Sequence, residues 1–377
     1  MNIDIRGAGS AKRDTREGAL EVVARFEGMT PTVLAFFVSP GHDGLLLSRI
    51  LSDRFPKARI VGCTTAGEFS QQASTVGGMS CLALGAGKVR RAASALADFS
   101  RAESVEGALR TACDELARTL GVDLRSLDPT KWAGVVLVDG LHMKEEAVNE
   151  ALGNIAPQLS FVGGSAGDDL AFRETKVFSD GAASSDGAAL LLFEAAVPFA
   201  IGKTCSFVPS RHVFRVTKAD RRNRTIEELD GRPVLEAYAE AVGRSPDRLD
   251  SSVFMSHPIG VMIDDRPWIR SPQQALPDGG LKFYCEVLEG MEVHVMEPTD
   301  MVEDSRRSLD EIRAELGGAI AGGLAFNCIL RRLELEAEKK MDDWLGSFGG
   351  VELAGFHTYG ETWLGHVNQT LTGLWFR

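Results

Sequence analysis

The chain alternates short, unbroken apolar runs with amphipathic stretches. Thr15 to Glu27 places Leu20, Val23 and Ala24 on one face, which predicts a helix capped by Thr15. Thr32 to Val38 is continuously apolar, the pattern of a strand covered on both faces. Leu45 to Phe55 reads as a helix, and Arg59 to Cys63 as the next strand. A right-handed crossover and a largely parallel start follow. Met79 to Leu84 and Val89 to Phe99 read as strands, Ser104 to Leu120 as a helix. Strand, helix and strand recur at Gly134 to Val138, about 144–155, and Leu159 to Val162. Strands at Thr175 to Phe178, Ala188 to Phe193 and Phe199 to Ser206 follow. The first half thus reads as two copies of one unit.

The second half opens on a charged stretch, Ser210 to Leu229. Pro233 sits in the first turn of a predicted helix, Arg232 to Val242. Val253 to Phe254 and Ile259 to Ile263 read as short strands, Leu281 to Val287 and Glu292 to Met296 as longer ones. Asp300 to Leu316 is a helix capped by Thr299 or Asp300. Ala319 to Cys328 reads as a central strand. Arg331 to Phe348 reads as one helix with Glu336 and Lys340 placed to pair. The strands Val351 to Ala354 and Gln369 to Phe376 close the chain.

One local pattern recurs at the ends of apolar runs. Gly355-Phe356-His357-Thr358-Tyr359-Gly360-Glu361 and Gly62-Cys63-Thr64-Thr65-Ala66-Gly67-Glu68 share G-x-x-T-x-G-E. Gly163-Gly164-Ser165-Ala166-Gly167-Asp168 is a shortened copy. Each reads as a strand entering a tight turn that carries a hydroxyl and then a carboxylate. Repeats of this kind imply repeated supersecondary units. The expected fold is α/β: two mixed-sheet modules with internal duplication, divided at residues 15–218 and 219–377.

Composition narrows the function. With 44% apolar and 25% charged residues, 377 residues can bury substantial cores. A net charge of −12 argues against nucleic-acid binding, which needs clustered Lys and Arg. No window reaches the roughly 20 apolar residues of a membrane span. The N-terminus lacks a signal-peptide core. A cytoplasmic location is expected. Six cysteines show no paired spacing, so zinc-finger and disulfide frameworks are not expected.

Candidate chemistry centres on the turns. Backbone N–H groups after a strand can form an anion nest. Thr65, Gly67, Glu68, Gly164, Ser165, Gly167, Asp168, Thr358 and Glu361 are candidate ligand contacts; the plainer role is capping of neighbouring backbone. Neither a phosphate loop nor a dinucleotide fingerprint is present, and there is no G-x-S-x-G elbow. Cys328 stands at a strand end before a helix, where a thiol can become nucleophilic. His357 or His366 could serve as its base; a buried structural thiol is the plainer role. The seven histidines are scattered, though a single one suffices for haem.

Together these segments resemble a bacterial FIST protein (F-box and intracellular signal transduction). The N-terminal module is suggested by residues 62–68 and 162–168. The C-terminal module is suggested by Glu228-Leu229-Asp230-Gly231-Arg232-Pro233, Phe326-Asn327-Cys328-Ile329-Leu330-Arg331-Arg332, residues 355–361 and His366-Val367-Asn368-Gln369-Thr370. The resemblance implies a non-enzymatic, small-ligand sensor regulating a histidine kinase or a cyclic-di-GMP enzyme, with a homodimer left open. It implies haem and nitric oxide as the sharpest version, with an amino acid or another small molecule as the alternative. An enzyme using Cys328 is the rival class. Cys328, Arg331 and Asn368 join the candidate ligand contacts. For haem iron, His257 and His366 rank first as ligands, then His212.

Overall fold

The computed structural model describes residues 4–377. The chain forms two compact units. The larger runs up to Lys203 and resumes at Ser305–His366 and Leu371–Arg377; the smaller comprises Thr204–Asp304 and Val367–Thr370. This division differs from the boundary read near residue 218, because the chain leaves the larger unit at Lys203 and comes back to it at Ser305. Both units combine helices with sheets. No helix among the described residues is long and apolar enough to cross a membrane.

The larger unit carries three six-stranded sheets. Each is built on a parallel pair: Pro31–Val38 with Arg59–Thr64, Trp132–Val138 with Phe161–Ser165, and Gly322–Cys328 with Glu352–Thr358. A helix begins each crossover: Gly44–Arg54, Glu145–Ile155 and Ile329–Ala337. Against the first strand of each pair runs an antiparallel return strand: Met79–Gly85, Gly187–Ala195 and Thr370–Phe376. Three segments therefore share one element order.

The strands between pair and return do not stay at home. Glu68–Ser70, from the first segment, pairs with Glu352–Thr358 of the third. Val177–Ser179, from the second, pairs with Arg59–Thr64 of the first. Glu361–Trp363, from the third, pairs with Phe161–Ser165 of the second. The exchange is cyclic, and each crossing starts at one of the glycine turns.

Apolar alternation explains the layering. The inner sheet faces meet in one core that includes Phe37, Val162, Phe193, Phe326, Phe356 and Phe376. Phe37 lies 4.7 Å from Phe356 and 6.0 Å from Phe326, centroid to centroid, so rings from two sheets interlock. The outer face of the first sheet packs on Thr15–Arg25 and Gly44–Arg54 through Val22, Leu47 and Leu51. That of the second packs on Val105–Leu120 and Glu145–Ile155 through Leu109, Leu116, Val148 and Leu152. In the smaller unit, strand Phe207–Asp220 pairs antiparallel with Glu292–Pro298 and Thr225–Leu229 over a core that includes Val216, Leu229, Tyr238, Phe254 and Val295.

Several elements differ from their sequence reading. A strand at Ile5–Ser10, missed because its residues are mostly small, pairs with Met79–Gly85. Asp14, not Thr15, caps the first helix, accepting from the N–H groups of Arg16 and Glu17. Val253–Phe254 lie in a helix, Ser251–Ser256, because Asp250 caps its first turn. The strand opening at Leu281 ends at Phe283. The stretch from Arg331 to Phe348 holds two helices, with Lys339 in the left-handed region between them (φ +57°). Glu336 accordingly pairs with Arg332, and Lys340 with Glu338.

The three turns are bonded to one another through the main chain. Ala66 N–H donates to His357 O, and His357 N–H to Gly67 O. Gly167 and Asp169 N–H donate to Thr64 and Thr65 O. Ser165 N–H donates to Gly360 O, and Tyr359 N–H to Ser165 O. Each junction thus has two hydrogen bonds, and every turn touches both others. Gly67 has φ +99°, and a β-carbon there would stand 3.0 Å from Arg332 Nη1 and 3.2 Å from His357 Cδ2. Gly67→Val combines a left-handed β-branched residue with overpacking, a cost of about 2–5 kcal/mol. The expected outcome is a clear fall in the chemical-denaturation midpoint. An unchanged midpoint refutes the turn's structural role.

Candidate functional site

The turn side chains are inside the protein. Thr65, Glu68, Ser165, Thr358 and Glu361 are all fully buried. Thr65 Oγ1 bonds Glu68 Oε1, and Thr358 Oγ1 bonds Glu361 Oε1, three residues on in both turns. Glu68 Oε2 also accepts from Gly78 N–H (3.1 Å) and Thr75 Oγ1 (3.3 Å). Burial pushes the Glu68 carboxyl up to about 8, with the nearby Asp169 adding to it; the hydrogen bonds oppose the rise.

The shortened turn, residues 163–168, works differently. Ser165 Oγ donates to Glu145 Oε1 at 3.3 Å instead of to Asp168. Asp168 accepts from the N–H groups of Phe172, Arg173 and Glu174 at 2.9, 2.6 and 3.1 Å. Tyr359 Oη–H donates to Asp168 Oδ1 at 2.6 Å, and the Tyr359 ring stacks on Phe172. The shorter aspartate cannot reach back as glutamate does, so it caps the loop that follows.

His357 anchors a buried polar chain. Arg331 Nε donates to Asn327 Oδ1 at 2.9 Å, which turns the amide NH2 toward His357 Nδ1 at 3.0 Å. Nδ1 must therefore accept, and Nε2–H faces Ser74 Oγ at 3.2 Å. Burial first, and then the Arg332 guanidinium, hold the imidazole well below its usual range. Arg332 Nη1 donates to Ala66 O at 2.7 Å, tying this chain to the first turn. Cys328 is buried, and the nitrogens of His357 are committed to Asn327 and Ser74.

The remaining candidates lie apart. His366 is buried, with Nδ1 3.1 Å from Glu146 Oε1. His257 caps the end of helix Ser251–Ser256, its Nδ1 2.9 Å from Ser256 Oγ. Tyr238 Oη–H holds the His257 carbonyl at 2.6 Å. His212 is half-buried on the long strand, beside Arg211. Asn368 is 1% exposed, and neither side-chain amide atom has a hydrogen-bond partner among the described residues.

A cavity that no motif announced lies in the larger unit, with a volume of about 780 Å³. Phe199, Ile201 and Trp363 give it apolar walls, while Arg90, Lys131 and Glu315 bring charges of both signs. None of the residues singled out from the sequence lines it. Its only trace there was the apolar run Phe199 to Ser206, which periodicity reads as a strand and nothing more.

Comparison with known families now places the chain. Residues 32–232 match the FIST N domain and residues 235–363 the FIST C domain. The chain belongs to the FIST family. FIST domains are sensory modules rather than catalysts. No match was found among curated proteins.

Glu68 and His357 predict opposite pH responses. Glu68 binds its proton more tightly when folded, so its stabilising contribution is complete below about 4.5 and is lost as pH rises through about 8. Its replacement Glu68→Gln should flatten that decline in melting temperature between pH 5 and 8.5. A decline identical to wild type removes Glu68 as its source. His357 resists protonation when folded, so its contribution is complete above the usual imidazole value and fades as pH falls below about 6.5. The variant His357→Gln should lose less stability than wild type between pH 7 and 5.

Proposed function

We infer that the protein is a small-ligand sensor in bacterial signal transduction, acting in the cytoplasm and regulating a histidine kinase or cyclic-di-GMP enzyme in trans. The cavity carries this reading. Its volume suits a metabolite-sized ligand. Its walls and rim suit an amino acid: Arg90 and Lys131 for the carboxylate, Glu315 for the ammonium group, Phe199, Ile201 and Trp363 for the side chain. Trp363 ends the exchanged strand that begins at Glu361. A ligand pressing on Trp363 acts on the third turn two residues away, and through it on the other two. The turn residues then serve as transmission, and the shared T-x-x-E bonding favours an internally duplicated origin.

The test is a thermal-shift screen of the common amino acids, followed by calorimetry on hits. At least one should raise the melting temperature of wild type. The paired variants Lys131→Glu and Trp363→Ala should each weaken it tenfold or more. No shift with any amino acid in wild type overturns the amino-acid reading.

Haem with nitric oxide is the second reading, and His257 is its best-fitting ligand. Ser256 Oγ engages Nδ1, which leaves Nε2 to coordinate in a fixed orientation. Within the same unit, Gln369 Nε2–H donates to Met255 O, two residues before His257, and Asn368 beside it carries the unsatisfied buried amide. The orphan amide of Asn368 offers a hydrogen-bonding group for a bound diatomic. His366, pressed against Gly360, and His212 fit less well. When bound, haem would supply the iron that takes up nitric oxide. The expected result is a Soret band on haemin addition that is lost in His257→Ala and kept in His366→Ala and His212→Ala. A band unchanged in His257→Ala refutes the assignment.

A further inference from the structure

We propose that Glu145, Glu146 and His366 form a binding site for a divalent first-row transition ion, Zn2+ being the reference case, independent of haem and of the cavity. One ligand atom from each lies within 4.8 Å of the other two. That is close to the spacing needed for oxygen and nitrogen donors to meet an ion at about 2.0–2.2 Å. One imidazole with two carboxylates suits zinc, manganese or iron(II), and not calcium, which takes oxygen alone.

The chain builds this site from distant parts. Glu145 and Glu146 open the helix Glu145–Ile155, and His366 follows the exchanged strand Glu361–Trp363. The register places Ser165 and Thr362 on the sheet face toward that helix. Ser165 pairs with Val138, and Gly163 with Val136, and both valines pack in the core beneath that helix. Cross-strand partners share a face. Ser165, whose hydroxyl donates to Glu145, therefore points toward the helix. Thr362 pairs with Gly163 and points the same way.

Two further observations mark a ligand position. Thr362 Oγ1 is fully buried and has no hydrogen-bond partner among the described residues. A buried hydroxyl left so is costly, and an ion-bound water beside it would supply the missing bond. Gly360 is two residues before Thr362, and a β-carbon at Gly360 would stand only 2.0 Å from His366 Nε2. Absence of a side chain there is what lets the imidazole lie over the strand that carries Thr362. A bound ion would replace the direct Glu146–His366 contact and tie the helix to the exchanged strand.

A second cluster, Asp139, His142 and Asp186, provides the control. There Lys144 already neutralises Asp186 at 2.5 Å, and Thr175 bonds Asp139.

The experiment is calorimetric titration of chelator-stripped full chain with Zn2+, with melting temperature as the second readout. Wild type should bind one ion saturably and melt higher with it. Both Glu146→Gln and His366→Ala should lose at least tenfold in affinity, and His142→Ala should not. Glu146 is partly exposed, so Glu146→Gln decides the question if His366→Ala fails to fold. The proposal is overturned by no saturable binding in wild type, by unchanged affinity in Glu146→Gln, or by a loss confined to His142→Ala. None of these outcomes depends on an amino acid or haem, so each leaves the sensor reading standing.

Discussion

Main-chain hydrogen bonding among the three turns is the constraint from which the larger unit follows. A strand that ends inside a protein must satisfy its last polar groups without water. Here each turn does so with the other two, through bonds of 2.8–3.2 Å. Once the turns are joined, the following strands have no course but outward into a neighbouring sheet. Apolar inner faces can then close over one core, and the helices are left for the outside. The buried hydroxyl–carboxylate pairs complete the arrangement by giving two of the turns an internal partner.

Burial of these groups sets the electrostatics of the interior. Glu68 and His357 are both pushed toward their neutral forms, one by gaining a proton and one by refusing it. The orientation of His357 is then read from its neighbours: Arg331 fixes Asn327, and Asn327 fixes the imidazole.

Much of this was visible in the sequence, and the limits have physical causes. The turns stood out because glycine, hydroxyl and carboxylate at fixed spacing are local demands. The strands and helices beside them stood out because burial imposes a period. Pairing across the chain leaves no such trace: nothing in Glu68-Phe69-Ser70 says that it lies beside Ala354 to Phe356. Glu146 meets His366 across 220 positions for the same reason. The cavity escaped notice because Phe199, Ile201 and Trp363 are ordinary apolar residues until the fold gathers them. Local competition explains the smaller errors. Asp250 capped a helix where two apolar residues suggested a strand, and a left-handed Lys339 broke a helix that periodicity had run together.

The cyclic exchange makes FIST N and FIST C matches of sequence and not separable bodies. A chain ending at residue 232 would hold Glu68–Ser70 with only the short strand Ser74–Thr75 beside it, its Glu352–Thr358 partner missing, and Phe161–Ser165 with a bare edge where Glu361–Trp363 belongs. Exposed edges of that kind recruit other chains. During synthesis the first two segments must wait for residues beyond 350 before the ring can close, and contacts so distant in sequence form slowly. The nascent chain thus spends most of its synthesis with open sheets, an exposure set by topology and not by the stability it finally reaches.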